Sequence, residues 1–127
     1  MLMRSAVIFG IAFIAAGILG FVPGITTEDG YLLGLFHVDA VHNFVHILSG
    51  AVALVVGYKS EHASRLYFQI FGSLYVAIAV LGMFYGNQPI LGFLTNNPGD
   101  VVLHLVIAAV ALYLGFGYHR RARHVHA

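Results

Sequence analysis

The chain has 127 residues, of which 60% are hydrophobic and only 9% are charged, and its mean hydropathy is +0.89. Globular domains average about 25% charged residues, so this composition excludes an ordinary soluble domain. The formal net charge is +1 and cysteine is absent. Disulfides, thiolate catalysis and cysteine-ligated zinc or iron–sulfur sites are therefore excluded.

Four apolar stretches are long enough to cross a membrane, which takes roughly 20 apolar residues in a helix. They cover about residues 5–22, 40–58, 66–85 and 98–118, and only short segments connect them. The sequence therefore predicts an all-α membrane protein with four transmembrane helices. A single domain over residues 1–127 accounts for all four.

The charged residues divide unequally between the two sides of this arrangement. Four of the five acidic residues, Glu28, Asp29, Asp39 and Asp100, fall on one side. The other side carries Glu61 and all six basic residues, Arg4, Lys59, Arg65, Arg120, Arg121 and Arg123. Because basic loops stay in the cytoplasm, we expect a multi-pass protein of the cytoplasmic (inner) membrane with both termini cytoplasmic.

Two internal matches relate the first half of the chain to the second. An offset of 62 residues aligns IFGIAFIAAGILGFVPG with IFGSLYVAIAVLGMFYG. An offset of 58 aligns LGLFHVDAVHNFVHILSGAVALVVG with LGFLTNNPGDVVLHLVIAAVALYLG and pairs His46 with His104. The repeat halves cover about residues 5–58 and 66–118, so the first span mirrors the third and is not a cleaved signal peptide. Each half has two spans, which predicts a tandem parallel repeat about an axis along the membrane normal.

Histidines lie where the second and fourth spans begin. Asp39 and its equivalent Asn97 are good helix N-caps, which places His46 and His104 seven residues into their helices. At 1.5 Å per residue both rings lie roughly 10 Å below the helix start. Glycine and alanine follow each histidine at four-residue spacing, as at Gly50, and small residues mark helix contact faces. We therefore expect both imidazoles to point into the bundle.

Three uses of these histidines follow from their chemistry. In the first, each neutral ring makes one interhelical hydrogen bond, with Asn43, Ser49, Ser73 or Tyr75 as its partner. In the second, the cluster binds a cofactor. His42 and His46, four residues apart, share a metal ion with His104, and His37 is a further candidate ligand. A haem b held by His46 and His104 is a variant. In the third, the rings belong to a proton or small-ion pathway.

Other function classes find no support in the residues. A glycine-rich phosphate loop, a serine or cysteine nucleophile arrangement and paired deep carboxylates are all missing from the sequence, so general acid–base chemistry lacks its parts. The basic tail HRRARHVHA suits anionic lipid headgroups but is too weakly charged to predict nucleic-acid binding. The sequence favours a non-enzymatic accessory or scaffold protein that packs with itself or with other membrane proteins, with metal or haem binding as the alternative.

Several segments together resemble a known family. They are FVPG closing the first span, LLGLFHVDAVHNFVHILSGAVAL across the second, IFGSLYVAIAVLG in the third and LHLVIAAVALYLGF in the fourth. They are similar to the small bacterial four-helix membrane proteins catalogued as domain of unknown function four-three-eight-three. The resemblance implies the same four-span topology. It also implies that His37, His42, Asn43, His46 and His104 are the characteristic polar positions, and it implies no activity.

Overall fold

The computed structural model describes residues 1–92 and 94–118. Their main elements are the helices α1 (Leu2–Leu19), α2 (Ala40–Lys59), α3 (Glu61–Tyr85) and α4 (Pro98–Leu112). A π-helical segment, Tyr113–Tyr118, continues α4. The α1–α2 connection holds a short antiparallel pair of strands, β1 (Tyr31–Leu32) and β2 (Phe36–His37). The predicted basic tail from residue 119 onward lies outside the described residues.

The helices have the composition of membrane spans. Each is long and apolar enough to cross a bilayer when α4 is counted through Gly117, and at most 39% of any span's most apolar window is buried. On α2 the large side chains of Phe44, Leu48 and Val55 are 62–66% exposed, whereas the buried residues are polar or small. This pattern is that of a helix in lipid, where polar groups are kept in the protein interior. The prediction of four helices capable of spanning a membrane is confirmed.

Two helices begin earlier than their hydropathy predicts: α1 begins at Leu2 instead of about residue 5, and α3 begins at Glu61 instead of about residue 66. α3 starts at Glu61 because Ser60 caps it, its side chain accepting the Ala63 backbone N–H at 2.9 Å. The Glu61 carboxylate in turn accepts the backbone N–H groups of Leu2 and Met3 at 3.3 and 2.9 Å. These two hydrogen bonds join the start of α1 to the α2–α3 turn. Apolar content alone could not predict these polar first turns.

The predicted N-caps of α2 and α4 are confirmed. Asp39 accepts the backbone N–H of His42 at 2.9 Å, and Asn97 accepts that of Asp100 at 2.8 Å. Asn97 also donates its side-chain amide to the Leu35 carbonyl oxygen at 3.0 Å. The connections over residues 20–39 and 86–97 are thereby tied together at one end of the bundle, which we call the loop end.

The two connections at the loop end share an unusual backbone conformation. Leu33 and Leu91, which are 58 residues apart, have φ values of 55° and 54°. The glycines that follow them, Gly34 and Gly92, have φ values of 72° and 84°. A left-handed leucine costs roughly 1–2 kcal/mol. Equivalent positions of the two halves thus adopt the same turn, in spite of that cost.

Relieving this strain is expected to stabilise the protein. Leu33→Gly removes the side chain that disfavours the left-handed conformation, and its benefit exceeds the larger conformational entropy of unfolded glycine. We expect the free energy of unfolding to rise by about 0.5–1 kcal/mol, measured by SDS titration in detergent micelles. Leu35→Gly is the matched control, because Leu35 is similarly exposed but has no positive φ. A loss of stability in both variants would contradict the prediction.

Each half packs as a close helix pair, α1 on α2 and α3 on α4. A Cβ atom at Gly10 would lie 2.7 Å from Leu54 and 2.8 Å from the Gly50 carbonyl oxygen. A Cβ atom at Gly72 would lie 2.8 Å from Leu112. Glycine at these positions therefore lets the backbone of one helix come into contact with the backbone or the side chains of its partner helix.

Aromatic and small side chains fill the bundle between the pairs. One buried cluster comprises Leu2, Ala6, Ala53, Tyr67, Phe68 and Ala111. A second comprises Phe13, Tyr75 and Ala108, and its two rings stack with centroids 5.7 Å apart. Phe13 and Tyr75 each contact a histidine on the side towards the loop end. The apolar interior thus ends at a polar layer.

Candidate metal centre

Three imidazoles form the polar layer. His42 and His46 lie one turn apart on α2, and His104 lies on α4; their exposed fractions are 2%, 6% and 2%. The ring centroids are 4.7 Å apart for His42 and His46, 5.9 Å for His42 and His104, and 6.5 Å for His46 and His104. One ligand nitrogen of each ring lies within 4.8 Å of the other two. The sequence-predicted group of His42, His46 and His104 is thus one compact cluster.

Aromatic rings hold two of the imidazoles in place. Phe13 packs edge-on against His46, with ring centroids 5.5 Å apart. Tyr75, which is 62 residues after Phe13, packs against His104 at the same centroid distance. These contacts restrict the rotation of both rings. The predicted inward direction of His46 and His104 agrees with their burial and with these neighbours.

His42 is oriented by a residue that the sequence analysis missed. Its Nδ1 lies 2.8 Å from Thr95 Oγ1, and its Nε2 lies 3.2 Å from His46 Nε2. The partners predicted for His46 and His104, namely Asn43, Ser49, Ser73 and Tyr75, do not include Thr95. Thr95 is 58 residues after His37, so the repeat offset could have identified it.

His37 lies apart from this cluster. It is the second residue of β2, and its ring stacks on Tyr31 of β1 with centroids 4.8 Å apart. Among the described residues, the group whose ligand atoms converge contains His42, His46 and His104 and does not include His37. The strand pair, which the sequence did not predict, places His37 against its neighbour in the hairpin.

Unpaired polar atoms accompany the cluster. His104 Nδ1 and Asp100 Oδ2 are buried and have no hydrogen-bond partner within the described residues. The contact between His42 Nε2 and His46 Nε2 also has a chemical requirement. Two imidazole lone pairs repel each other at 3.2 Å unless a proton or a cation lies between them. The N–H group of one neutral ring or a bound cation meets this requirement.

A small apolar groove reaches His46 from between α1 and α4. Its volume is about 240 Å³, and besides His46 it is lined by Phe9, Ala12, Phe13 and Ala16 of α1 and by Leu103 and Ile107 of α4. At the positions equivalent to Ala12 and Ala16, the second half has the larger Leu74 and Ile78. Two alanines therefore leave space on this side of the bundle.

The Thr95 contact provides a test of how the cluster is oriented. Thr95→Val keeps the side-chain shape but removes the hydroxyl group that fixes the ring of His42. Such supporting hydrogen bonds typically contribute a factor of about 10–100 to metal affinity, and we expect a Zn²⁺ affinity loss of that size. The measurement is a competition titration with a chromophoric chelator. Thr27→Val, in the exposed loop, is the control, and equal affinities for both variants would contradict the prediction.

The fold and the cluster define a multi-pass membrane protein with a buried tri-histidine group near one end of its four-helix bundle. The chain belongs to the family described as Domain of unknown function (DUF4383), whose model matches residues 4–117. This confirms the family resemblance of the sequence. No curated protein and no solved structure matches the chain.

Proposed function

We propose that this protein binds one divalent transition-metal ion inside the membrane through His42, His46 and His104. The observation that carries the proposal is the convergence of three buried imidazoles, with their ligand nitrogens within 4.8 Å of one another. Neutral imidazole nitrogen suits zinc, copper, nickel and iron. Ionisable side chains at this depth are costly and mark functional sites.

The nitrogen spacing fits two ligands of one metal ion. Two nitrogens bound at 2.0–2.1 Å to a tetrahedral zinc ion lie about 3.3 Å apart, and His42 Nε2 and His46 Nε2 are 3.2 Å apart. If Nδ1 of His42 donates its proton to Thr95 Oγ1, Nε2 keeps a lone pair for the metal. His104 supplies the third nitrogen, which lies within 4.8 Å of the other two. A purely structural role leaves its Nδ1 unexplained, because that atom has no partner in the described part of the chain.

The surroundings favour a single ion over haem b. A porphyrin bound by His46 and His104 would need a flat space between the two rings. His42 lies beside both rings, and Phe13 and Tyr75 pack against them. The adjoining groove of about 240 Å³ is smaller than the 300–1,000 Å³ typical of sites for drug-sized ligands. A metal ion needs none of this space.

Loading with defined metals tests the proposal. The full chain, purified in detergent, is stripped with a chelator and titrated with Zn²⁺ and, separately, with Co²⁺. We expect one ion per chain by elemental analysis, and visible d–d absorption of Co²⁺ in a low-symmetry nitrogen site. Loss of the ion during gel filtration at micromolar concentrations, together with a Co²⁺ spectrum like that of the free aqueous ion, would refute metal binding.

The proposal includes the repeat and the orientation in the membrane. Matched backbone conformations at Leu33 and Leu91, and matched glycine contacts at Gly10 and Gly72, support a tandem parallel repeat. Arg4, Lys59 and Arg65, which lie at the end opposite the loop end, support cytoplasmic termini in the inner membrane. The cluster then lies in the outer half of the bilayer. Reporter fusions after residue 118 and within residues 26–30 should report opposite sides, and a common side would overturn this topology.

The scaffold function stays a prediction. Packing against a second copy or another membrane protein needs an apolar outer surface, and so does contact with lipid. The exposed side chains of α1 to α4 serve both equally. Crosslinking in native membranes separates the two, because a defined protein partner gives a discrete product. The proton or ion pathway also stays a prediction.

A further inference from the structure

Asp100 is the buried member of the chain's five acidic residues. Its exposed fraction is 1%, whereas Glu28, Asp29, Asp39 and Glu61 are exposed or half-buried. An ionised carboxylate away from water is costly unless it is paired with a positive charge or bound to a metal. Asp100 Oδ2 has neither a hydrogen-bond donor nor an ion-pair partner in the described structure. The burial of this unpaired carboxylate inside an apolar helix bundle therefore needs an explanation.

The repeat places Asp100 at the position of a cluster histidine. Asp100 is 58 residues after His42, and His104 is 58 residues after His46. His42 and Asp100 each occupy the third position of their helix. The backbone N–H of each donates a hydrogen bond to the side chain of the N-cap residue. Each also precedes a cluster histidine by four residues, which places the pair on one helix face. The two halves therefore contribute two equivalent pairs, one His–His and one Asp–His.

The outer atoms of His42 and Asp100 have equivalent partners. Nδ1 of His42 contacts Thr95, from the second half of the chain. The Asp100 carboxylate lies near the backbone N–H groups of Asn97, its own N-cap residue, and of His37, in the first half. Thr95 and His37 are themselves 58 residues apart. The connection in each half thus lies against the polar side chain that the other half contributes.

The remaining atoms are the ones relevant to a metal. With Nδ1 used, His42 presents Nε2 to His46. In Asp100, the atom left over is Oδ2, which is buried and unpaired. By the equivalence of the two halves, Oδ2 corresponds to His42 Nε2, and Asp100 lies one turn before His104 on α4. The unpaired Nδ1 of His104 belongs to the same half.

A carboxylate at this position would balance part of the charge of a bound metal ion. A divalent ion held by three neutral imidazoles keeps its full double charge, which is unfavourable in a medium of low dielectric constant. One carboxylate halves that charge. A carboxylate oxygen also suits a divalent ion of intermediate hardness, whereas Cu(I) is selected by soft sulfur ligands, and the chain has no cysteine.

We infer that Asp100 is the anionic fourth member of the metal site. Its carboxylate is not among the ligand atoms that converge in the structure, and its side chain rotates towards the ion when the ion binds, which gives a His₃Asp set built from equivalent positions of the two halves. The inference rests on the proposed metal binding. It assigns the site to divalent ions such as Zn²⁺ and Co²⁺. It also explains why the second half has aspartate where the first has His42, since a fourth neutral ring would leave the ion's charge uncompensated.

The test compares Zn²⁺ and Co²⁺ binding by the full chain and by Asp100→Asn, which keeps the shape and removes the charge. We expect the Zn²⁺ dissociation constant to rise at least about tenfold and the Co²⁺ absorption bands to shift. Asp29→Asn, an equal charge change in the exposed loop, should bind as the unmodified chain does. Unchanged affinity and spectrum in Asp100→Asn would overturn the inference while leaving metal binding intact. Failure of the unmodified chain to bind would instead refute the proposed function.

A second variant covers the case in which Asp100→Asn does not fold. Asp100→His makes the second half identical to the first at this position and supplies a neutral nitrogen in place of the oxygen. We expect it to bind Co²⁺ with absorption bands displaced from those of the unmodified protein, because one ligand atom has changed. A Co²⁺ spectrum identical to that of the unmodified protein would show that residue 100 does not face the ion, and the inference would fail.

Discussion

Replacing His46 by alanine is expected to lower the Zn²⁺ affinity by at least about 100-fold, more than the loss of a supporting residue. His46 is one of the three converging ligands, since its Nε2 lies 3.2 Å from that of His42 and its ring centroid lies 6.5 Å from that of His104. Without His46, only two imidazole ligands remain, one on α2 and one on α4. Competition titration with a chromophoric chelator measures the change.

The control for this experiment is His37→Ala. It also removes one imidazole, but from a ring that stacks on Tyr31 in the loop hairpin. We expect its Zn²⁺ affinity to stay within a factor of about two, since the His37 imidazole is not among the converging ligand atoms and alanine keeps the backbone N–H at this position. His104→Ala provides a second removal, from the other half, and should match His46→Ala. Retention of full affinity in both cluster variants would contradict the proposed site.

Gly50→Val is expected to have the largest effect on the fold, lowering the free energy of unfolding by about 3 kcal/mol. A Cβ atom at this position would lie 2.7 Å from the Gly10 carbonyl oxygen and 2.9 Å from the Ile14 backbone nitrogen. These are backbone atoms and cannot rotate away, so α1 must separate from α2. SDS titration of the detergent-solubilised protein, followed by circular dichroism, measures the loss.

Ala51→Val is the matched control for the glycine variant. It enlarges the neighbouring residue, whose side chain is exposed on the outside of the bundle. Surface substitutions of this kind usually change stability by no more than about 0.5 kcal/mol. Gly50 also lies one turn after His46, so separation of α1 should move Phe13 away from that ring and weaken metal binding. Equal stability of the two variants would refute the close contact of α1 and α2.

The membrane-spanning helices and their inward faces could be predicted from the sequence because lipid imposes simple rules. A span must be apolar for about 20 residues and must satisfy its own backbone hydrogen bonds. Local chemistry also identified Asp39 and Asn97, since a cap acts over only three residues. The start of α3 was missed because its first turn, Glu61 to Ser64, is polar and lies outside the apolar stretch.

The candidate site was predicted only in part. The spacing of His42 and His46 along one helix and the repeat partner His104 were visible in the sequence. The separation of His37 was not, because it depends on the β1–β2 hairpin, a pair of two-residue strands too short to leave a periodic pattern. Thr95 was also missed, since its contact with His42 joins residues 53 positions apart.

The sequence by itself determined the class of protein, the number of candidate spans and which residues match between its two halves, because these follow from local composition and from comparison of the chain with itself. Only the tertiary structure decided that three imidazoles meet within 4.8 Å, that Thr95 orients one of them, and that Asp100 is buried with an unpaired oxygen. The physical reason is distance along the chain. Ligand convergence depends on how α2 and α4 are placed relative to each other, and packing of the whole bundle sets that placement.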